Sequence, residues 1–425
     1  MRKYFLMPFS VFFLCATWSC NSKDKMAGTT PVLIPKEIKN INFFLETSAS
    51  MEGYMKGNSD FVKKIPNFLV DIEGRIKSKN TTIKINYIAD TITEYKGTTA
   101  NFIHDISTIR VAKEISSPMH KIFESVTKAT DSNDISILVS DCILSYADPD
   151  IKKNPKINIE KADGELKASI KRAFMQMNKQ NVCATVYGFS SSFFGTYYCY
   201  NNDKVQLNGE LRPYYIWVIG NKDLVQKFNK QLADIPGFAP ELSCSFGMFN
   251  KPIDNYTLLF KTGHGGEWTF DNNSLIDVDF GAKNPGKFSI AVDISSLPAY
   301  AKEINYLKDK LVLSFTDLKA KITDIKKATD IDLNKAAPKE KGPLQAASHV
   351  ISIEVSDIYQ SSGTITLKLP LQYDKSYENW SVMDDKNVKN LGKTTFAFKH
   401  LVDGVLEAYE NKNENYINIT INLKK

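Results

Sequence analysis

The apolar run Ile41–Leu45 gives way abruptly to the polar stretch Glu46-Thr47-Ser48-Ala49-Ser50, and strand-sized and helix-sized patterns alternate from there to about residue 236. Asp60–Lys77 carries Phe61, Ile65, Phe68, Leu69 and Ile72 at helical spacing. Thr82–Ala89 alternates Ile83, Ile85 and Tyr87 with polar neighbours, and Ile92–Tyr95 continues it as a hairpin. After Ser117, the spacing of Met119, Ile122, Phe123 and Val126 predicts an amphipathic helix. A buried strand Ile135–Val139 follows, then a polar insertion to about Asp163 and a helix to Gln180. Strands Val182–Phe189 and Tyr214–Ile219 come next, and Asn221 caps a helix running through Leu232. Strands alternating with helices of about ten or more residues predict an α/β domain over 38–236. Its expected form is a doubly wound, mostly parallel sheet flanked by helices.

Past Gly237 the period changes to two. Tyr256–Phe260, Phe288–Ile294, Leu311–Phe315, Val350–Val355, Thr364–Leu369 and Tyr416–Leu423 read as short strands. Lys319–Lys341 is charged and reads as a loop or linker, and Phe396–Tyr409 as a single inserted helix. Residues 237–425 are therefore expected to be β-rich, forming one or two sandwich-like units.

The first residues change the picture of where the chain resides. Arg2 and Lys3 precede an apolar run from Tyr4 to Trp18, about 15 residues and too short to span a bilayer. Residues 1–19 read as an export signal. The sequence Thr17-Trp18-Ser19-Cys20-Asn21 resembles a bacterial lipoprotein signal, in which the Cys is lipidated and becomes the mature N-terminus. An ordinary secretory peptide cleaved nearby is the alternative. Residues 20–37 would form a tether, and Asn21-Ser22-Lys23-Asp24-Lys25 resembles the charged tags of Bacteroidetes surface lipoproteins. Acyl chains contribute about 0.8 kcal/mol per buried CH2, so two or more hold a protein stably on a membrane.

Net charge is +6, with lysines spread throughout rather than gathered on a face, which gives nucleic-acid binding no support. Cys142, Cys183, Cys199 and Cys244 follow no metal-ligand spacing, and Cys142 and Cys183 fall at or in core strands as buried fillers.

The chemistry concentrates after the first strand. Glu46, Ser48 and Ser50 stand two residues apart, a spacing that aims side chains the same way on an extended backbone. Three hard oxygen donors directed at one spot suit a divalent cation. Ser116-Ser117-Pro118-Met119 opens the following amphipathic helix, and Ile135–Val139 runs on into Ser140-Asp141. Together these segments resemble the metal-ion-dependent adhesion site of von Willebrand factor A (vWA) domains, whose parts are Asp-x-Ser-x-Ser, a Thr before a helix and an Asp closing a strand. Here Glu46 replaces the first Asp and Ser117 the Thr. The resemblance covers about Glu37 to Gly237. It implies that Ser48 and Ser50 touch a metal directly, with Glu46, Ser117 and Asp141 acting directly or through water and a partner's carboxylate completing the shell. Mg2+ is the implied ion, with Ca2+ or Mn2+ as alternatives, because the longer Glu46 suits an irregular shell better than an ideal octahedron. Without a metal, Ser48 and Ser50 would cap the next turn and Glu46 would pair with a lysine.

Elsewhere the motifs are plain. Gly188-Phe189-Ser190-Ser191-Ser192 reads as a polar turn and Thr262-Gly263-His264-Gly265-Gly266 as a glycine turn. Asp384-Asp385 reads as a solvated loop pair. Phe193, Phe194, Tyr197, Tyr198 and Tyr200 form an aromatic cluster, either a hairpin packed on its neighbour or a ligand platform at the rim. The expected function is non-catalytic: a lipoprotein of the cell envelope, anchored in the outer membrane and facing the periplasm or the outside, that binds a protein or glycan ligand. The alternatives are a structural module with an empty metal site and, third, a metal-dependent hydrolase using Ser48 or Ser50.

Overall fold

Among the described residues, seven strands join into the first sheet. They are β1 (Asn40–Glu46), β2 (Thr82–Ile88), β3 (Ile92–Glu94), β4 (Asp134–Ser140), β5 (Val182–Tyr198), β6 (Lys204–Asn221) and β7 (Leu242–Phe246), in the order β3-β2-β1-β4-β6-β5-β7. The structure is a computed structural model and describes residues 37–109, 111–112, 118–249, 251–410 and 414–425. Cys20 and Ser117, the expected lipidation site and one expected metal ligand, lie outside the described residues.

Helices cover both faces of this sheet: α1 (Asp60–Asp71), α2 (Thr99–Thr108), α3 (Met119–Lys128), α4 (Lys167–Lys179), α5 (Lys222–Ala233) and α6 (Phe398–Tyr409). The alternation within β1 explains the two layers. Ile41, Phe43 and Leu45 meet the apolar faces of α1, α2 and α5, whereas Phe44 meets α3, α4 and α6. Ser59 caps α1 by accepting from the Val62 amide, and Asn221 caps α5 by accepting from the Asp223 amide.

The sheet is mixed rather than mostly parallel. β1 runs parallel to β2 and β4, but β2–β3, β4–β6, β6–β5 and β5–β7 are antiparallel. The reason is local. Val182 to Asn221 is one long hairpin, whose short turn at Cys199–Asp203 forces antiparallel pairing over nearly its full length. The segment Phe193–Leu211 is the outer arm of that hairpin, and Gly188–Ser192 is mid-strand rather than a turn. Phe193 and Tyr197 are buried, as a hairpin packed on its neighbour requires.

The β-rich half contains a five-stranded and a four-stranded sheet. Val312–Thr316, Ser362–Pro370, Asn415–Lys424, Ser274–Asp279 and Glu267–Asp271 form the first; Leu318–Lys327, His349–Ile358, Gly286–Val292 and Thr257–Leu259 form the second. Phe288, Ile290, Ile365, Leu367, Ile419 and Ile421 from the two sheets share one apolar core. Lys319–Lys341, expected as a loop or linker, begins within a strand and ends in the helix Pro338–Ala346. Its lysines disguise an alternation in which Leu318, Ala320 and Ile322 point one way while Lys319 and Lys321 face solvent. Such lysines also guard an edge strand against pairing with other chains.

Residues Glu37–Lys425 form one unit. Two elements from beyond residue 237 complete the first sheet: β7 extends its edge, and α6 packs on α4. Gly404 makes that approach close, since a Cβ there would stand 2.7 Å from the Lys167 carbonyl. Glu407 on α6 reaches Lys167 and Lys171 on α4 at 3.3 and 2.9 Å. Because these pairs are partly exposed, each contributes little next to the buried Leu401, Val402 and Val405.

Candidate functional site

The chain passes from β1 outward to β2 and β3, then returns to the opposite side of β1 as β4. That reversal places a switch point between the carboxyl ends of β1 and β4, where open α/β sheets bind ligands. Leu45 lies opposite Val139 in the parallel register, so Glu46 and Ser140 end their strands side by side, with Asp141 one residue beyond. Glu46, Ser48 and Asp141 are buried, and Ser50 is partly exposed.

A chain of hydrogen bonds ties these groups together. Ser48 Oγ donates to Glu46 Oε1 at 2.6 Å and lies 3.0 Å from Ser50 Oγ. The Ser50 hydroxyl in turn bonds to Asp141, whose Oδ1 also accepts from the Ile143 amide at 3.2 Å. Although Ser48 precedes the short helix Ala49–Tyr54, its side chain makes no capping bond there. No lysine pairs with Glu46 among the described residues. The metal-free expectation of a capped turn and a Glu–Lys pair is therefore not what these side chains do. Four of the five residues expected at the site come together, and Ser117 is outside the described residues.

Electrostatics single out Glu46. Burial, followed by the nearby Asp141 charge, pushes its carboxyl up to about 8 despite the Ser140 and Ser48 hydroxyls. Burial also raises Asp141, opposed by the Ser50 hydroxyl, the Ile143 amide and the Arg212 guanidinium. Glu46 Oε2 is buried with no hydrogen-bond partner. A buried carboxylate oxygen left in this state costs free energy unless something binds it.

Several residues around the site were not anticipated from the sequence. Arg212, only 1% exposed, stands on β6. It donates to the Thr394 carbonyl at 2.6 Å and to the Gly392 carbonyl and Tyr197 hydroxyl at 3.3 Å. Its guanidinium lies 4.7 Å from the centre of the Tyr197 ring. Asp385 is fully buried rather than solvated. It accepts from the Tyr197 hydroxyl at 2.8 Å and the Tyr200 amide at 2.9 Å. Tyr54 lies between the groups, its ionisation suppressed by burial and then by Asp141. At Gly53 a Cβ would come within 2.2 Å of the Phe193 ring, so only glycine lets the 49–54 turn press against the hairpin. A lone arginine in front of the apolar run Pro213–Ile219 was the one available signal for Arg212; the acidic pair Asp384-Asp385 stood out in the sequence, but nothing there showed that Asp385 is buried.

The donor set fits a divalent cation in two respects. Glu46, Asp141 and Asp385 set three carboxyls against the single guanidinium of Arg212, a deficit of two positive charges when all ionise. The unpartnered Glu46 Oε2 is a hard oxygen awaiting a ligand. In a third respect the set is sparse: among the described residues, no group of three or more His, Cys, Asp or Glu could hold a metal ion. Any ion would rest on two carboxylates and neighbouring hydroxyls, with Glu46, Ser48, Ser50 and Asp141 as its holders.

Cys142, Cys183, Cys199 and Cys244 are free and buried. Cys142 accepts the Trp217 indole N–H at 3.1 Å, and Cys183 packs against Met248. Thr262–Gly266 forms the expected glycine turn, clasped by Glu340, which accepts from the Lys261 amide and the Thr262 hydroxyl. Compared with family models, curated proteins and solved structures, the chain matches none.

Proposed function

We propose that this chain is an exported lipoprotein, anchored through Cys20 to the outer membrane and facing the periplasm or the outside. Its vWA-like half would be a non-catalytic binding module that takes up a divalent cation at Glu46, Ser48, Ser50 and Asp141 to engage a protein or glycan ligand. The observation that carries the reading is the unpartnered, buried Glu46 Oε2 at the switch point, hydrogen-bonded through Ser48 and Ser50 to the second carboxylate. The bound ion would present positive charge to a partner's carboxylate. Mg2+ is the leading ion, with Mn2+ and Ca2+ as alternatives.

Equilibrium dialysis against Mn2+ tests the cation. Wild type is expected to retain one ion per chain and Asp141→Ala none, because the substitution removes one of two carboxylates. Equal retention by the two proteins would sink the assignment. The anchor is tested separately. Cys20→Ala should shift the protein from the membrane to the soluble fraction and abolish labelling by a fatty-acid analogue; a substituted protein still labelled and membrane-bound would contradict it.

A second reading draws support from Arg212. This guanidinium already opposes Asp141 and Asp385, so a protonated Glu46 would halve the cluster's charge deficit, from two to one, without any ion. The first half would then be a structural module, and the β-rich half would make the contacts.

A further inference from the structure

One sizeable cavity of the molecule lies away from the Glu46 site. About 550 Å³ in volume, it lies where α5 and β7 meet the four-stranded sheet, lined by residues from 226 to 257, 291 to 298, 343 to 347 and 371 to 373, with Tyr416. Its size falls within the roughly 300–1,000 Å³ of small-molecule sites, which favour junctions of this kind.

The chemistry of the lining narrows what would fit. Asp254 and Asp293 are exposed carboxylates, and no lysine or arginine pairs with either among the described residues. Asp293 accepts the Ser295 amide, at 3.0 Å, on one of its oxygens. Free carboxylates disfavour a phosphate or another anion, and Lys251 alone makes a poor anion cradle. Asn255 and these two aspartates offer planar groups with two polar atoms each, suited to neighbouring hydroxyls on one ligand. The apolar wall consists of rings. Phe249 packs edge-on against Tyr416 at 5.4 Å, and Tyr373 stacks on Phe246 at 5.9 Å. Both Phe249 and Tyr373 remain partly exposed while braced from behind, so a ligand meeting them orders little side chain on binding. Partly exposed rings interleaved with carboxylates and an amide suit a molecule with apolar C–H faces and many hydroxyls.

We infer that this cleft binds a neutral carbohydrate, through stacking on Phe249 and Tyr373 and hydroxyl hydrogen bonds to Asp254, Asn255 and Asp293. The inference is independent of the cation site, and the test keeps them apart. The full chain, in buffer containing EDTA, is applied to an array of glucans, mannans, galactans, chitooligosaccharides and N-glycans, with polyamine spots as controls. Retention on at least one neutral class is expected, preserved in Asp141→Ala. Asp254→Ala and Asp293→Ala alter exposed side chains and should each weaken it about tenfold, the loss of one charge-assisted hydrogen bond. Circular dichroism verifies that each variant is folded. A silent array, retention confined to polyamines, or retention indifferent to both substitutions would overturn the inference.

Discussion

Replacing Arg212 with alanine should lower the free energy of unfolding by about 3–5 kcal/mol, the usual cost of removing one partner from a buried ionic cluster. The guanidinium is 1% exposed, holds the Gly392 and Thr394 carbonyls and the Tyr197 hydroxyl, and lies against the Tyr197 ring. Its loss leaves Asp141 and Asp385 buried without an opposing charge, and it detaches the 392–394 segment from the hairpin. Lysine should not restore stability, because a single ammonium cannot span two carbonyls and a phenol from a planar fork. Asp385→Asn in the Arg212→Ala background should recover part of the loss, since it removes one of the two stranded carboxyls. Urea unfolding at neutral pH measures all three proteins. A loss below about 1 kcal/mol in Arg212→Ala would place the guanidinium among ordinary surface charges.

Glu46→Gln should stabilise the ion-free protein at pH 8 and leave it nearly unchanged at pH 4. In the folded state burial and Asp141 hold the Glu46 carboxyl at about 8, well above its ordinary value of 4.5. Below pH 4.5 both folded and unfolded chains are protonated there and nothing changes. From pH 4.5 to 8 the unfolded chain releases the proton while the folded chain keeps it, so wild-type stability falls as pH rises. Glutamine removes that slope. The full window corresponds to an upper bound of about 5 kcal/mol in favour of the variant. A divalent ion should narrow the gap, because the ion takes the ionised carboxylate and releases its proton. At a hundredfold excess over Kd, wild type gains about 2.7 kcal/mol. The glutamine variant gains less, and the wild-type gain grows with pH. Thermal melts at pH 4, 6 and 8, with EDTA or with Mn2+, read both effects. A wild-type melting temperature flat across pH in EDTA would contradict the state assigned to Glu46.

The early part of the chain was the most legible in sequence. Ile41–Leu45 alternates between two buried faces, and Met119, Ile122, Phe123 and Val126 all turn inward, so period and burial agree there. Sequence context also brought Glu46, Ser48, Ser50 and Asp141 to one rim, because strand ends in register position whatever follows them. Strand direction was hidden. An apolar run such as Tyr214–Ile219 is equally buried in a parallel or an antiparallel neighbour, and only the tight turn at 199–203 settles which. Leu318–Lys327 was masked by its lysines, whose charge outweighed the alternating apolar positions between them. Arg212 and Asp385 belong to the site through contacts between residues more than 170 positions apart, which no local pattern encodes. α6 was foreseen as a helix, but its docking against α4 depends on the small Gly404, a detail only packing exposes.

Crystals of wild type grown with Mn2+ and measured for anomalous scattering give the most direct reading of the site. One peak is expected at the carboxyl ends of β1 and β4, ligated by side-chain oxygens among Glu46, Ser48, Ser50 and Asp141, with Glu46 Oε2 no longer unpartnered. A map without a peak there, showing Glu46 hydrogen-bonded as a neutral acid within the Asp141–Arg212 cluster, would contradict the cation site and leave the structural module in its place.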